Sequence, residues 1–173
     1  FHSACPEMWA LTTPGIKVVF PSTPYDAKGL LKAAIRDPDP VLFLEHKYLY
    51  RRLKEDLPED DYIVPLGQAI ERHPGDDLVI LSYGAMVHKS MEAAITLSKE
   101  GFGVRVIDLR SLLPLDETMI LESVKTTGRV LVVHEHASRG GFAGELMALI
   151  NQEAFDYLDA PPKRVTGPNT PVP

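Results

Sequence analysis

The sequence predicts an α/β fold in which crossover helices cover a mainly parallel sheet. Short apolar runs alternate with segments of helical periodicity along most of the chain, which is the pattern of repeated β-α-β units. Glycine and proline residues stand between these runs, where turns are needed. There are no internal repeats and no low-complexity tracts.

The first unit is a strand, a helix and a second strand. The apolar run 16–20 predicts a strand, and residues 26–36 predict a helix. Its apolar residues recur at helical spacing, at Ala27, Leu30, Leu31 and Ala34. Pro38 and Pro40 end this helix because proline cannot continue the hydrogen-bond ladder. Residues 41–44 are almost wholly apolar, as strands covered on both faces are.

Residues 46–75 differ in composition from the rest. Charged residues, Pro58, Pro65 and the turn His73-Pro74-Gly75 dominate this stretch. We interpret it as an interdomain linker, with a short strand around residues 62–64.

A second α/β unit follows the linker. The predicted strands are residues 78–82, 104–107, 129–133 and 163–165. The predicted helices are residues 86–99, residues 116–126, and a segment that begins after Gly140-Gly141. Asp116 suits a helix N-cap and Gly128 a helix stop.

The composition excludes some classes of function. A net charge of −6 argues against a nucleic-acid surface, which needs clustered Lys and Arg. No apolar run approaches the roughly 20 residues that cross a bilayer, so we expect no membrane contact. One cysteine, Cys5, allows no internal disulfide and fits a reducing compartment.

Two groups of residues could carry chemistry. His2 suits acid/base work because the pKa of a histidine lies near neutrality. Cys5, near it in sequence, raises the alternative of a Cys–His nucleophile. A small, partly buried thiol is the simpler interpretation of Cys5.

His134-Glu135-His136 follows a predicted strand and suggests a metal site. Alternate residues of a strand point to opposite faces, so His134 and His136 share one face. Because no third ligand has metal spacing, we favour a polar strand end at a subunit interface.

Several long motifs occur in one order along the chain. HSACPE (2–7) precedes PGIKVV (14–19), then AAIRDPDP (33–40), DDLVILSYGAMVH (76–88), VRVIDLRSLLPLD (104–116), GGFAGEL (140–146) and KRVTGP (163–168). Together they resemble the beta subunit of the thiamine-diphosphate-dependent decarboxylase component of 2-oxo acid dehydrogenase complexes. HSACPE and KRVTGP favour the branched-chain type, and the pyruvate and acetoin types are the alternatives.

The resemblance implies a domain division and a catalytic residue. Residues 1–45 would be the C-terminal half of a pyrimidine-binding domain, 46–75 a linker, and 76–173 a transketolase C-terminal-like domain. His2 would occupy the family's active-site histidine position and act in acyl transfer to lipoyl. Ser3 and Glu7 match neighbouring motif positions, for which we expect a structural role. Ala4 departs from the glutamine that the family usually has there.

The resemblance also implies a structural potassium ion at Ala34, Asp37 and Asp39. These residues end the helix of the first unit in a tight proline turn, where oxygen atoms could converge on a hard cation. Taken alone, the sequence favours a simple turn here, and only the resemblance makes the ion site an equal alternative. Part of the ion's shell would come from residues that precede Phe1.

Cofactors and partners follow from the resemblance in the same way. The assembled enzyme would use thiamine diphosphate and magnesium, held mainly by residues outside this chain. Its partners would be an alpha subunit, a second beta subunit and the lipoyl-bearing acyltransferase component. The location would be the bacterial cytoplasm or the mitochondrial matrix.

The chain begins and ends inside the family's pattern, so we interpret it as part of a longer subunit. Alone we expect it to be inactive, which leaves a second hypothesis, a non-catalytic assembly module. In that case we expect self-association through residues 134–141 and the helix beginning near Phe142.

Overall fold

Two sheets organise the chain. The computed structural model describes residues 5–171. The smaller sheet has the strand order β2-β1-β6, from β1 (Lys17–Val19), β2 (Val41–Phe43) and β6 (Ser111–Leu113). β1 pairs with β2 in parallel and with β6 in antiparallel orientation. A strand from the second half of the chain therefore completes the sheet of the first half.

The larger sheet has five strands in the order β3-β5-β4-β7-β8. They are β3 (Ile70–His73), β4 (Leu78–Ser82), β5 (Val104–Asp108), β7 (Val130–Ala137) and β8 (Lys163–Gly167). All neighbouring pairs are parallel except β3 with β5. The predicted α/β fold with a mainly parallel sheet is thus confirmed.

The α-helices of residues 5–171 cover the sheets. They are α1 (Glu7–Leu11), α2 (Pro24–Arg36), α3 (Met86–Lys99), α4 (Glu117–Thr127) and α5 (Ala143–Glu153). The predicted bounds of α3 are confirmed. α4 begins where the Asp116 side chain accepts the backbone N–H of Met119, and it ends at Gly128, whose φ of 63° is left-handed. Both signals predicted from the sequence therefore act as expected.

The predicted short strand at residues 62–64 is wrong. That stretch is irregular, and the strand in this part of the chain is β3, which pairs with the edge of β5. Tyr62 instead stacks on Tyr25, with ring centroids 4.4 Å apart. Val64 also lies against α2, close to Gly29, so this segment packs on a helix rather than pairing with a strand.

The core lies mainly on one face of the larger sheet. Its fully buried members include Val18, Leu81, Ile107, Leu109, Leu112, Ile120, Leu146 and Ile150. Residues of β1 and β6 belong to this cluster together with α4 and α5. The two sheets therefore share one hydrophobic core. None of the helices within residues 5–171 is both long and apolar enough to cross a membrane.

Candidate functional site

The residues that follow His2 in the sequence meet the larger sheet at the carboxyl end of β4. His2 itself lies outside the described residues. Helix α1 begins at Glu7, five residues later, and packs against β1. Tyr83 directly follows β4, and His134 lies in β7, the strand beside β4. Ligand groups in α/β proteins cluster at this end of the strands.

Glu7 is a fully buried carboxyl group. The hydroxyl of Tyr83 donates a hydrogen bond of 2.9 Å to Glu7 Oε1. The second oxygen, Oε2, has no hydrogen-bond partner within the described part of the chain. A buried carboxyl group with one free oxygen costs stability, so Glu7 is not explained by packing alone.

Tyr83 lies between aromatic rings. Its ring stacks on His134 at 6.0 Å between centroids and 24° between planes, and it meets Phe142 edge-on at 6.2 Å. Burial raises the pKa of Tyr83, and Glu7 adds to the effect. The phenol therefore keeps its proton and acts as a donor.

His134 is a buried neutral base. Burial, and then His136, lowers its pKa to about 4. Its Nε2 accepts the backbone N–H of Ala143 at 3.3 Å, so the ring proton lies on Nδ1, which has no partner among residues 5–171. A side chain at Gly141 would press on this ring, since a Cβ there would lie 2.7 Å from His134 Cε1.

The alternation predicted for 134–136 is seen in the structure. The rings of His134 and His136 lie on one side, 6.3 Å apart, whereas Glu135 pairs with His46 at 2.7 Å. Nowhere in residues 5–171 do three His, Cys, Asp or Glu side chains come together in a way that could hold a metal ion.

Phe142 is not the contact residue that the sequence suggested. It is 5% exposed and belongs to the core. Its ring faces Tyr83 rather than solvent. The expected surface at the start of α5 therefore does not include this side chain.

Cys5 does not have the character of a nucleophile. Burial raises the pKa of its thiol to about 12, and Glu7 and Glu135 add to the effect. A thiol needs a lowered pKa to react at neutral pH. The structure thus favours the small, partly buried thiol over the Cys–His pair.

Ala34, Asp37 and Asp39 do come together at the end of α2. The Ala34 carbonyl accepts the backbone N–H of Asp37, and Asp37 Oδ1 accepts the N–H of Asp39 at 2.9 Å. The Lys17 ammonium lies 2.7 Å from Asp37 and 3.0 Å from Asp39 and holds the pKa of Asp37 below its usual value. As placed, the Lys17 ammonium pairs with both carboxylates and balances one of their two charges, and a potassium ion would have to displace it.

A buried ionic cluster is the feature that sequence reasoning missed. Arg110 donates to Asp26 at 2.9 Å, and Arg72 donates to Asp108 at 2.9 Å and also to Asp26. Both carboxylates are fully buried. Burial raises the pKa of Asp108, and Arg72 opposes the shift. Ser22 also donates to Asp108.

This ionic cluster fixes the passage from the larger to the smaller sheet. Arg110 lies between β5 and β6 with a φ of 55°, which is rare outside glycine. Its guanidinium also donates to the carbonyls of Gln68 and Ala69. The only sequence signal was the unusual presence of Asp and Arg beside apolar strand residues. This signal does not show which arginine pairs with which aspartate.

Two family models match the chain. The model of the transketolase C-terminal domain matches residues 67–173, and that of the transketolase pyrimidine-binding domain matches residues 1–52. The chain belongs to the transketolase C-terminal domain family. In that family, its relatives include a 2-oxoisovalerate dehydrogenase subunit beta from Bacillus subtilis, 47% identical over 99% of the chain.

Two further relatives have similar identities. A pyruvate dehydrogenase E1 component subunit beta from Bacillus subtilis is 52% identical over 99% of the chain. An acetoin:2,6-dichlorophenolindophenol oxidoreductase subunit beta from Cupriavidus necator is 51% identical over 92%. The chain covers 53% of each Bacillus protein and 47% of the Cupriavidus protein, so it spans about half the length of these relatives.

The fold of this transketolase-family chain also matches a solved structure. A split-gene transketolase, described as an inactive beta4 tetramer, superposes with a TM-score of 0.78 at 25% identity. The match covers 99% of the chain and 55% of that protein. The resemblance inferred from the motifs is thereby confirmed, since both family models and both Bacillus relatives agree with it.

Proposed function

We propose that the chain is part of the beta subunit of a thiamine-diphosphate-dependent 2-oxo acid dehydrogenase component. The observation that carries the proposal is the placement of Glu7, the last residue of the HSACPE motif. Tyr83 anchors Glu7 at the carboxyl end of β4, so this end of the motif adjoins the second α/β unit. Identities of 47% and 52% to two such beta subunits support it.

In this proposal the reaction is oxidative decarboxylation of a 2-oxo acid with transfer of the acyl group to lipoyl on a partner component. Thiamine diphosphate, when bound, supplies the electron sink for the decarboxylation. His2 exchanges a proton or steadies the acyl group during its transfer to lipoyl. No cofactor-binding residue is assigned within 5–171. We propose that the alpha subunit and the rest of the beta subunit hold thiamine diphosphate and magnesium.

For the substrate we propose a branched-chain 2-oxo acid, with pyruvate and acetoin as the alternatives. HSACPE and KRVTGP favour the branched-chain type, whereas the identities of 47%, 52% and 51% do not separate the three. Steady-state kinetics of the full-length beta subunit assembled with its alpha subunit test this choice of substrate. A kcat/KM highest for 2-oxoisovalerate supports the proposal, and one highest for pyruvate or acetoin overturns it.

His2→Ala tests the catalytic assignment in the same complex. The substitution should slow acyl transfer to lipoyl by about 10²- to 10⁴-fold, the usual contribution of a general acid or base. Thiamine diphosphate affinity should change little. An unchanged overall rate in a folded complex removes His2 from the active site.

The chain by itself should not decarboxylate 2-oxo acids. The proposed cofactor-binding groups lie outside it, so added thiamine diphosphate and magnesium should give no turnover. Turnover by the purified 173 residues contradicts this. We place the assembled enzyme in the bacterial cytoplasm or the mitochondrial matrix, because its relatives include bacterial proteins and a mitochondrial one from Arabidopsis thaliana.

A second candidate function is a non-catalytic assembly module. The observation that favours it is the solved relative described as an inactive beta4 tetramer. We propose that the chain divides into half of a pyrimidine-binding domain (1–45), a linker (46–75) and a C-terminal domain (76–173). We propose further that the chain pairs with a second copy through this C-terminal domain. Sedimentation at several concentrations should show a dimer or larger species, and a monomer at all loadings contradicts it.

The structural potassium ion at Ala34, Asp37 and Asp39 stays a prediction. Thermal unfolding in KCl and in NaCl at equal ionic strength tests it. A higher midpoint in KCl supports the site, and the gain should increase in Lys17→Met because the competing ammonium is gone. Equal midpoints in both salts for both proteins contradict it.

A further inference from the structure

The hydrogen bond between Tyr83 and Glu7 joins two distant parts of the chain. The two residues are 76 positions apart in sequence. Glu7 begins α1, five residues after His2, whereas Tyr83 directly follows β4. This contact therefore ties the start of α1 to the central strand of the larger sheet.

The contact is not explained as a device for stability. Glu7 is fully buried, and its Oε2 has no partner within residues 5–171. An apolar side chain at this position would avoid the desolvation of a carboxyl group. A buried polar group that is only half satisfied calls for another reason.

The donor in this contact is held rigidly. The ring of Tyr83 is packed between His134 and Phe142, and it is 4% exposed. Phe20 adds a third aromatic contact at 5.5 Å. His134 is in turn fixed by its hydrogen bond with the backbone of Ala143 at the start of α5. Contacts on several sides restrict movement of the Tyr83 ring and so fix the position of its hydroxyl oxygen.

We propose that Tyr83 and Glu7 are positioning residues, whose hydrogen bond holds the segment bearing His2 in place for acyl transfer to lipoyl. This inference rests on the proposed function and deepens it. Neither residue touches the reacting atoms in this scheme. Both act through His2, so their effect should be confined to the step that His2 serves.

The first test compares two reactions of the complex formed by the full-length beta subunit and its alpha subunit. Tyr83→Phe removes the hydroxyl and keeps the ring. Reductive acylation of lipoyl should fall about 10-fold or more, as expected when a buried carboxyl group loses its hydrogen-bond donor. Decarboxylation linked to an artificial dye should stay within about twofold, and thiamine diphosphate affinity should not change.

Two variants control for nonspecific damage. Tyr157→Phe removes an exposed hydroxyl and should leave both rates unchanged. Glu7→Gln keeps an acceptor oxygen for the Tyr83 hydroxyl and should retain more acylation than Glu7→Ala. An equal loss of both reactions in Tyr83→Phe indicates a smaller active fraction and overturns the proposal, as does no loss at all.

A double-mutant cycle with His2→Ala sharpens the test. If Tyr83 acts through His2, adding Tyr83→Phe to His2→Ala should cause no further loss of acylation. Losses that multiply show that Tyr83 acts independently of His2, and they overturn the proposal.

A structural readout keeps this inference distinct from the proposed function. Trp9, the single tryptophan, lies on α1 and is 77% exposed. In the 173-residue chain, Tyr83→Phe should increase the local motion of Trp9 in fluorescence anisotropy decay, and Tyr157→Phe should not. Unchanged motion overturns the anchoring role whatever the enzyme does. If the motion of Trp9 increases but the wild-type complex turns over no 2-oxo acid, the Tyr83–Glu7 anchor is established. That result overturns the proposed function and the role of the anchor in acyl transfer.

Discussion

At the scale of single residues, burial decides the chemistry of His134 and Cys5. The sequence offers both side chains as candidates for chemistry. Cys5 is a protonated thiol because its pKa is raised to about 12. His134 is a neutral ring whose pKa is lowered to about 4. Neither group is suited to bind a proton and release it again at neutral pH.

His134 should make stability depend on pH. Its folded pKa of about 4 lies below the ordinary 6.5, so between these values the unfolded chain binds a proton that the folded chain does not. The stabilisation is complete above pH 6.5 and is lost as pH falls toward 4. In urea unfolding, the drop in unfolding free energy from pH 7.5 to pH 5 should be smaller in His134→Gln than in the wild type. His73→Gln, on the edge strand β3, is the control, and an equal drop in His134→Gln and the wild type contradicts the prediction.

At the scale of elements, α2 lies unusually close to the irregular segment before β3. A Cβ built on Gly29 would lie 2.5 Å from Val64 Cγ2 and 2.9 Å from the Val64 backbone nitrogen. Because a backbone atom cannot turn away as a side chain can, the segment would have to shift. This close approach explains why a glycine stands in the middle of a helix.

Gly29→Ala should therefore destabilise the protein. In an open helix the change would stabilise by up to about 1 kcal/mol, whereas here the overpacking should cost about 1–3 kcal/mol. Gly144→Ala is the matched control, because Gly144 lies in α5 and a Cβ added there would meet open space. Chemical unfolding measures both variants. A higher unfolding free energy for Gly29→Ala than for the wild type contradicts the prediction, because it shows that the segment at Val64 moves aside without loss of stability.

At the scale of the whole molecule, the buried ionic cluster and the shared core join the two sheets. Asp26 comes from α2 and Arg72 from β3, whereas Asp108 ends β5 and Arg110 lies between β5 and β6. Charges that are buried together have to be paired. We therefore expect the two sheets to unfold in a single transition.

Removing one partner should be costly. Asp26→Ala leaves Arg110 without its carboxylate and should lower the unfolding free energy by about 3 kcal/mol or more. Circular dichroism during urea unfolding measures the loss. Asp61→Asn is the control: its carboxylate pairs with Lys32 and Arg36 at the surface, where ion pairs contribute little. Similar stability of Asp26→Ala and the wild type shows that the cluster does not hold the sheets together.

Local patterns predicted most regular elements but not their partners. The bounds of α3 and β4, the Asp116 cap and the Gly128 stop follow from neighbouring residues, so sequence reasoning found them. β3 and β6 were missed because each is an edge strand whose partner is far away in sequence. The 62–64 strand was predicted wrongly because Tyr62 and Val64 pack on α2 and the segment pairs with no strand.

The sequence by itself determined the fold class, the order of motifs and the resemblance to a family, because these depend on local periodicity and on residue identity. It also brought Ala34, Asp37 and Asp39 together, since a few residues at a helix end cannot lie far apart. Only the tertiary structure decided that Lys17 pairs with those carboxylates, that Glu7 meets Tyr83, and that Asp26 meets Arg110. These contacts join residues 20 to 84 positions apart. Charge pairing and burial at such separations depend on how the sheets pack, which no local pattern contains.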